Sequence, residues 1–424
     1  MTLIIRNARV VSPRRSHSVG KAPLRGREMA ALHVIPRADI VIDDGHITSI
    51  KPLTNNLAAE APQTPSLSSS WPALDSHART EIDAAGACVI PAFIDCHTHA
   101  CFAGERLSEW EDKRQGVAYL DILARGGGIM STVRSVRGAS ESTLTELLLQ
   151  RLDIMLRCGS ATIEVKSGYG LDTQTELKML RAIHRAASAF PGTLIGTALL
   201  GHAIDDAEPG FVNRVIRETL PAVASEFPGI AVDAYCETGA WSLAQCVELF
   251  TAAQALGLPI RVHADQFNSL GMTREAARLG ALSVDHLEAS TDADLQALAN
   301  SSTLGVALPI CGVHLDNRFA NARGLIDAGG ALCIATNFNP GSSPCMSMCE
   351  TIAMAVRRLC LSPSEAIVAS TINPAALLGF ADRGVVEPGA RADLLILRGA
   401  DERVLAFEIG YPPIARVIVS GRPI

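Results

Sequence analysis

The chain has 424 residues, 48% of them hydrophobic and 19% charged, which is enough apolar material for one large domain with an appendage or for two domains. Lys and Arg number 37 against 44 Asp and Glu, a net charge of −7 with no acidic or basic block, which argues against a nucleic-acid partner. The eleven cysteines stand singly, without Cys-x-x-Cys pairs, and read as reduced thiols of a cytoplasmic protein.

The opening MTLIIRNARVV is interrupted by Arg6 and Arg9, so it lacks the apolar core of a signal peptide. No apolar run approaches the ~20 residues of a membrane span. Residues 1–12 and 38–52 read as short strands with a tight turn at Asp44-Gly45. The basic stretch 13–28 reads as an exposed insertion loop, and residues 53–80, rich in Pro and Ser, as a second loop. Then the pattern changes. Apolar, β-branched runs recur at 89–99, 161–168, 193–203, 231–237, 258–266, 281–288, 303–310 and 331–337. Helix-period segments such as 142–159 separate them. Strands buried on both faces and alternating with helices predict a parallel sheet, and eight such units predict an α/β fold of the (β/α)8 TIM barrel type. Residues 390–399 and 415–424 return to the β character of the N-terminus. The expected organisation is a small composite β-sandwich domain from residues 1–85 and 385–424, beside a barrel over 86–384.

Polar residues close seven of the eight apolar runs: His97 and His99, Lys166, His202, Glu237, His263, His286 and Asn337. In a TIM barrel that rim is where active sites are built. His97 and His99 are two apart on a strand and share a face, so both imidazoles enter the same space. Two convergent neutral imidazoles suit zinc or ferrous iron, and His263, across the barrel mouth, is the natural third ligand. Taken one at a time, His202, His263 and His286 read equally as satisfied core histidines. Arg106, in FAGER, has the planar fork to grip a substrate carboxylate, and reads as well as a surface ion pair. Tyr169, between the glycines of SGYGL, leans over the pocket or packs against the rim. NPGSSP (339–344) has the turn chemistry of an anion-binding nest, or of a plain connecting loop.

HTHACFAGER (97–106), GGGIMSTVR (126–134), EVKSGYGLDTQTELKMLR (164–181), GHA (201–203), HADQFNSLG (263–271), ALSVDHLE (281–288) and ATNFNPGSSP (335–344) follow one another in an order that resembles the imidazolonepropionase family of the amidohydrolase superfamily. The resemblance runs from about residue 86 to the C-terminus. It implies hydrolysis of 4-imidazolone-5-propanoate to N-formimino-L-glutamate in histidine degradation. It also implies one divalent metal, zinc or iron, on His97, His99, His263 and residue 337. Arg106, Tyr169 and His202 would hold the substrate, with Asn339, Gly341 and Ser342 at its carboxylate end. Gln266 and His286 would act on the substrate or on water.

Two positions depart from the family pattern, which has Asp where this chain has Asn337 and Glu where it has Gln266. An amide cannot take the proton that a carboxylate takes from water. Asn337 therefore reads three ways. It is a substitution that traps a ligand, or the mark of a diverged relative acting on a hydantoin or thiohydantoin propanoate with His286 taking over proton transfer, or the mark of a binder with little turnover. The expected partner is a five-membered cyclic amide bearing a carboxylate, with neither nucleic acid nor membrane; a homodimer is compatible with the chain.

Overall fold

The computed structural model describes residues 2–15, 22–53, 80–117, 121, 125–205 and 207–424. The N-terminal part supplies β1 (Thr2–Pro13), β2 (Leu32–Asp43), β3 (His46–Pro52), β4 (Thr80–Asp83) and β5 (Cys88–Pro91). The middle supplies β6 (Phe93–Asp95), β7 (Ser160–Lys166), β8 (Thr193–Gly201), β9 (Ala231–Cys236), β10 (Val262–Ala264), β11 (Ser283–His286), β12 (Leu304–Ala307) and β13 (Leu332–Ile334). The C-terminus adds β14 (Leu394–Leu397), β15 (Ile414–Val419) and β16 (Arg422–Pro423).

Strands β6 to β13 pair in chain order, all parallel, and helices lie between them. The first and last strands meet just past their ends, where Asn337 N–H donates to the His97 carbonyl at 3.0 Å and His99 N–H to the Phe338 carbonyl at 2.9 Å. The Thr336 hydroxyl adds a 2.6 Å bond to Asp95. This is the (β/α)8 barrel, with all eight strands where the apolar runs put them. The run 89–99 divides at Ala92: β5 belongs to the other sheet and β6 starts the barrel, so at this crossing a single residue separates the two. The expected strand over 303–310 ends at Ala307 and gives way to a helix over Pro309–His314, where Pro at the first position favours the turn.

Both termini build the separate sheet, one mixed ladder in the order β16-β15-β14-β5-β1-β2-β3 with β4 on β1. Its long β1–β2 hairpin buries Leu3, Ile5, Val11 and Ile40. The stretch 13–28 is no simple exposed loop. Residues 16–21, like 54–79 of the Pro- and Ser-rich stretch, lie outside the described residues. Beyond them Leu24 and Met29 are fully buried. Asn373 clamps this arm to the barrel: its amide donates to the carbonyls of Leu24 (3.0 Å) and Leu332 (2.9 Å) and accepts from Leu24 N–H (2.8 Å). The short turn Gly26–Ala30 that carries Met29 packs on the helices Ala322–Asp327 and Pro363–Ala369.

Among the described residues no helix is long and apolar enough to cross a membrane. All eleven cysteines are free thiols. Asn373→Ala would strand the buried Leu24 N–H and C=O, so it should lower stability by about 2–3 kcal/mol, read from the urea-unfolding midpoint. A loss within about 0.5 kcal/mol would mean that the arm is held elsewhere.

Candidate metal centre and active site

His97, His99 and His263 converge at the barrel mouth, with one ring nitrogen of each lying within 4.8 Å of the other two. All three side chains are buried. Each of two rings is locked from behind. His97 Nδ1 donates to Asp285 at 2.6 Å, and His263 Nδ1 to Asp233 at 3.1 Å. Those bonds fix the tautomer and leave Nε2 as the lone-pair nitrogen facing the pocket. His99 Nε2 and His263 Nε2 then lie 3.3 Å apart.

Nothing fixes the His99 tautomer in the same way: with the proton on Nε2 it donates to His263 Nε2 and leaves its buried Nδ1 unpartnered, and with the proton on Nδ1 two lone pairs face each other. Protonation is disfavoured: burial, then Lys166 and the neighbouring rings, push His97 well below its ordinary pKa, and burial, then His202 and His263, do the same to His99. A cation resolves the conflict. Bonds of about 2.0–2.1 Å to a tetrahedral ion put neighbouring nitrogens about 3.3–3.4 Å apart, which is the separation present. His97 Nε2 and Asn337 Oδ1 are also buried without a hydrogen-bond partner. The residues fit a divalent metal.

Beneath the imidazoles sits a set of buried charges. Lys166 Nζ pairs with Glu164 (2.9 Å) and Asp233 (2.8 Å), and Arg261 with Asp285 (2.9 Å). Burial alone would raise the Asp233 pKa, but His263 and Lys166 hold it well below the carboxylate range. Sequence reasoning placed Lys166 on the rim and passed over Asp233, Asp285 and Arg261. A signal was present, since a single Asp inside an otherwise apolar strand such as AVDAYC needs a partner.

The other expected residues surround this centre. Glu176 accepts the N–H groups of Gly168 (2.9 Å), Gly170 (2.7 Å) and Leu171 (3.1 Å), folding the SGYGL loop so that buried Tyr169 stands with its ring 6.2 Å from His99 and 5.0 Å from His202. His202 Nδ1 donates to the Gly168 carbonyl at 2.8 Å, and burial first of all lowers its pKa to about 3, so Nε2 is an acceptor. Gly168 must be glycine, because a Cβ there would stand 2.9 Å from His202 Nδ1 at a φ of +106°. His286 ends β11 at a φ of +91°, a conformation few non-glycine residues adopt, with Nδ1 3.2 Å from Glu288. Gln266 accepts from Tyr235 O–H at 2.8 Å, which turns its NH2 toward Cys311 Sγ at 3.5 Å.

Two groups expected at the carboxylate end of the substrate are engaged within the chain itself. The N–H groups of Gly341 and Ser342 are not an open nest: both donate to Asn339 Oδ1, at 2.8 and 2.7 Å, so the chain's own carboxamide fills it. Arg106 is not a free fork either, because its Nε and Nη2 bond Glu109 Oε2 at 3.0 and 2.6 Å. Its Nη1 reaches the same turn, where a Cβ on Gly341 would come within 2.6 Å of it.

The chain matches the Amidohydrolase family over residues 88–424. It is 42% identical over 415 residues to an imidazolonepropionase of Herpetosiphon aurantiacus, covering 95% of this chain and 93% of that one. It is also 42% identical over 399 residues to an imidazolonepropionase of Deinococcus radiodurans, covering 94% and 95%. Among solved structures, a 5-methylcytosine deaminase from Klebsiella pneumoniae liganded with phosphonocytosine superposes with a TM-score of 0.70 at 18% identity, covering 100% of this chain and 98% of that one, a likeness of fold alone. The chain therefore belongs to the amidohydrolase family, in its imidazolonepropionase branch.

Proposed function

We propose that the protein hydrolyses the ring amide of 4-imidazolone-5-propanoate, giving N-formimino-L-glutamate. The observation that carries the reading is the convergence of His97, His99 and His263 in one buried pocket, with His97 Nε2 and Asn337 Oδ1 left without hydrogen-bond partners beside it. Members of the amidohydrolase family generally use a divalent metal. Here His97, His99 and His263 would hold zinc or iron, with Asn337 Oδ1 beside them. A divalent ion supplies Lewis acidity at the ring carbonyl and makes water acidic enough to attack near neutral pH.

The chain's own groups do the rest. His286 takes the proton from water as its oxygen adds to the ring carbonyl, and returns it to the ring nitrogen as the C–N bond breaks. Glu288 sets the orientation of that imidazole. Gln266, turned by Tyr235, presents N–H donors rather than a base. Arg106 Nη1 and the Ser342 hydroxyl meet the propanoate, and Tyr169 and His202 close the side of the pocket.

Asn337 supports a second reading, a relative whose ring substrate is a hydantoin or thiohydantoin propanoate. Its φ of +53° is as acceptable to Asp as to Asn, so backbone geometry does not demand the amide.

Turnover of imidazolone propanoate should stop on chelation and return with zinc or ferrous iron. His286→Ala should lower kcat by about 10²–10⁴-fold, the usual worth of general-base help; an unchanged kcat removes His286 from proton transfer. Asn337→Asp should raise kcat on imidazolone propanoate at least about tenfold by restoring a carboxylate. No rise, together with efficient turnover of thiohydantoin or hydantoin propanoate by the unaltered protein, hands the case to the second reading. Asp285→Asn should weaken metal binding by about 10–100-fold in chelator competition, through loss of the bond that orients His97.

A further inference from the structure

Beside the three-histidine pocket lies a second group of metal-ligating atoms, from His286, Glu288 and Cys311, which also fall within 4.8 Å of one another. They come from two neighbouring parts of the barrel rim, the end of β11 and the short helix after β12. The His286 ring is a separate wall, with its centroid 5.7 Å from that of His263 and 6.1 Å from that of His97.

Glu288 is the unexplained member. Its side chain is 5% exposed, and Oε1 faces His286 Nδ1 at 3.2 Å. Its second oxygen, Oε2, is buried with no hydrogen-bond partner. A buried carboxylate oxygen left unmatched is costly, and such groups normally find a donor or a cation. Arg318 is the nearby cation, but its guanidinium is engaged by Asp316 at 2.8 Å. Glu288 and Cys311 also line a cavity of about 10 Å³, room for a single water-sized body, together with Gln266, Asp316 and Arg318, while His286 stands outside its lining. Gln266, on the same cavity, points an amide N–H at Sγ, the kind of donor that a metal-bound thiolate accepts.

We infer that His286, Glu288 and Cys311 form a second cation site, for a borderline or soft divalent transition ion. The donor set of one imidazole, one carboxylate and one thiol suits zinc or cobalt and is a poor match for magnesium or calcium. Binding releases the thiol proton to solvent and leaves sulfur as thiolate on the ion. With His286 shared between ion binding and proton transfer, occupancy of this site would slow the turnover assigned above, making excess metal an inhibitor. That last consequence rests on the proposed function; the site itself does not.

The test is a cobalt titration of the full-length protein stripped of metal. Two equivalents should bind, one of them giving a near-ultraviolet thiolate-to-cobalt charge-transfer band. Cys311→Ala should lose the band and one equivalent while keeping the other, and Glu288→Gln should weaken the band-forming step at least about tenfold, as removal of one charged ligand does. One equivalent without the band overturns the second site and leaves the three-histidine centre standing. One equivalent with a band that Cys311→Ala abolishes overturns the three-histidine centre instead. A band that survives Cys311→Ala comes from another of the eleven cysteines and overturns the assignment to Cys311.

Discussion

Asp233 and Asp285 each stand between a buried cation and an imidazole, and the site depends on that double engagement. Asp233 joins Lys166 to His263, and Asp285 joins Arg261 to His97. A carboxylate at the centre of a barrel is tolerable only when paired, and removing one partner of such a pair typically costs 3–5 kcal/mol. The cations therefore stabilise the carboxylates, and the carboxylates fix the rings. Electrostatics also explains why the rings stay neutral, since the two cations below them oppose any further positive charge until a metal, with all three lone pairs, outweighs that opposition.

The same strand ends carry several left-handed backbone conformations. Asp265, His286, Leu287 and Asn337 all have positive φ, each at the point where a barrel strand turns away from the ladder. These residues cannot hold that shape alone. Asp265 accepts from Thr273 and Ser290, both at 2.7 Å, and Asn337 is fastened through its N–H to His97. Strain at the rim is balanced by hydrogen bonds from the next loop, which is how a short strand can end in a precisely aimed side chain.

Much of this was legible in the chain. Eight apolar runs spaced by helix-period segments specify the barrel because buried parallel strands need apolar residues on both faces, and the His-x-His pair declares its face by the period of two. The clamp by Asn373 and the burial of Leu24 were not legible, since the partners are 349 positions apart and a basic, proline-containing stretch looks solvated. Glu176 and Glu288 were missed for a related reason. Both belong to segments that read as ordinary polar helix or strand ends, and only the fold shows which N–H groups the one collects and which partner the other lacks. Arg106 was half legible: its position by the pocket followed from the sequence, but its neighbour three residues on, Glu109, takes most of its fork.

Amides at 266 and 337 change what the pocket can do rather than how it is built. Both positions keep their hydrogen-bond frame: Gln266 through Tyr235, Asn337 through its backbone to His97. What they give up is negative charge and basicity. A site with fewer carboxylates holds its metal with less charge compensation, which makes the ion a stronger Lewis acid, yet it has fewer groups able to carry a proton. In the proposed reaction the burden of proton transfer would then fall on His286, whose imidazole is oriented by Glu288 and whose φ is +91°. With a metal bound, polarisation of the carbonyl would be stronger while delivery of the proton to the leaving nitrogen would be the harder half. In the proposed hydrolysis of imidazolone propanoate, that proton delivery would be the step on which the amide at 337 bears.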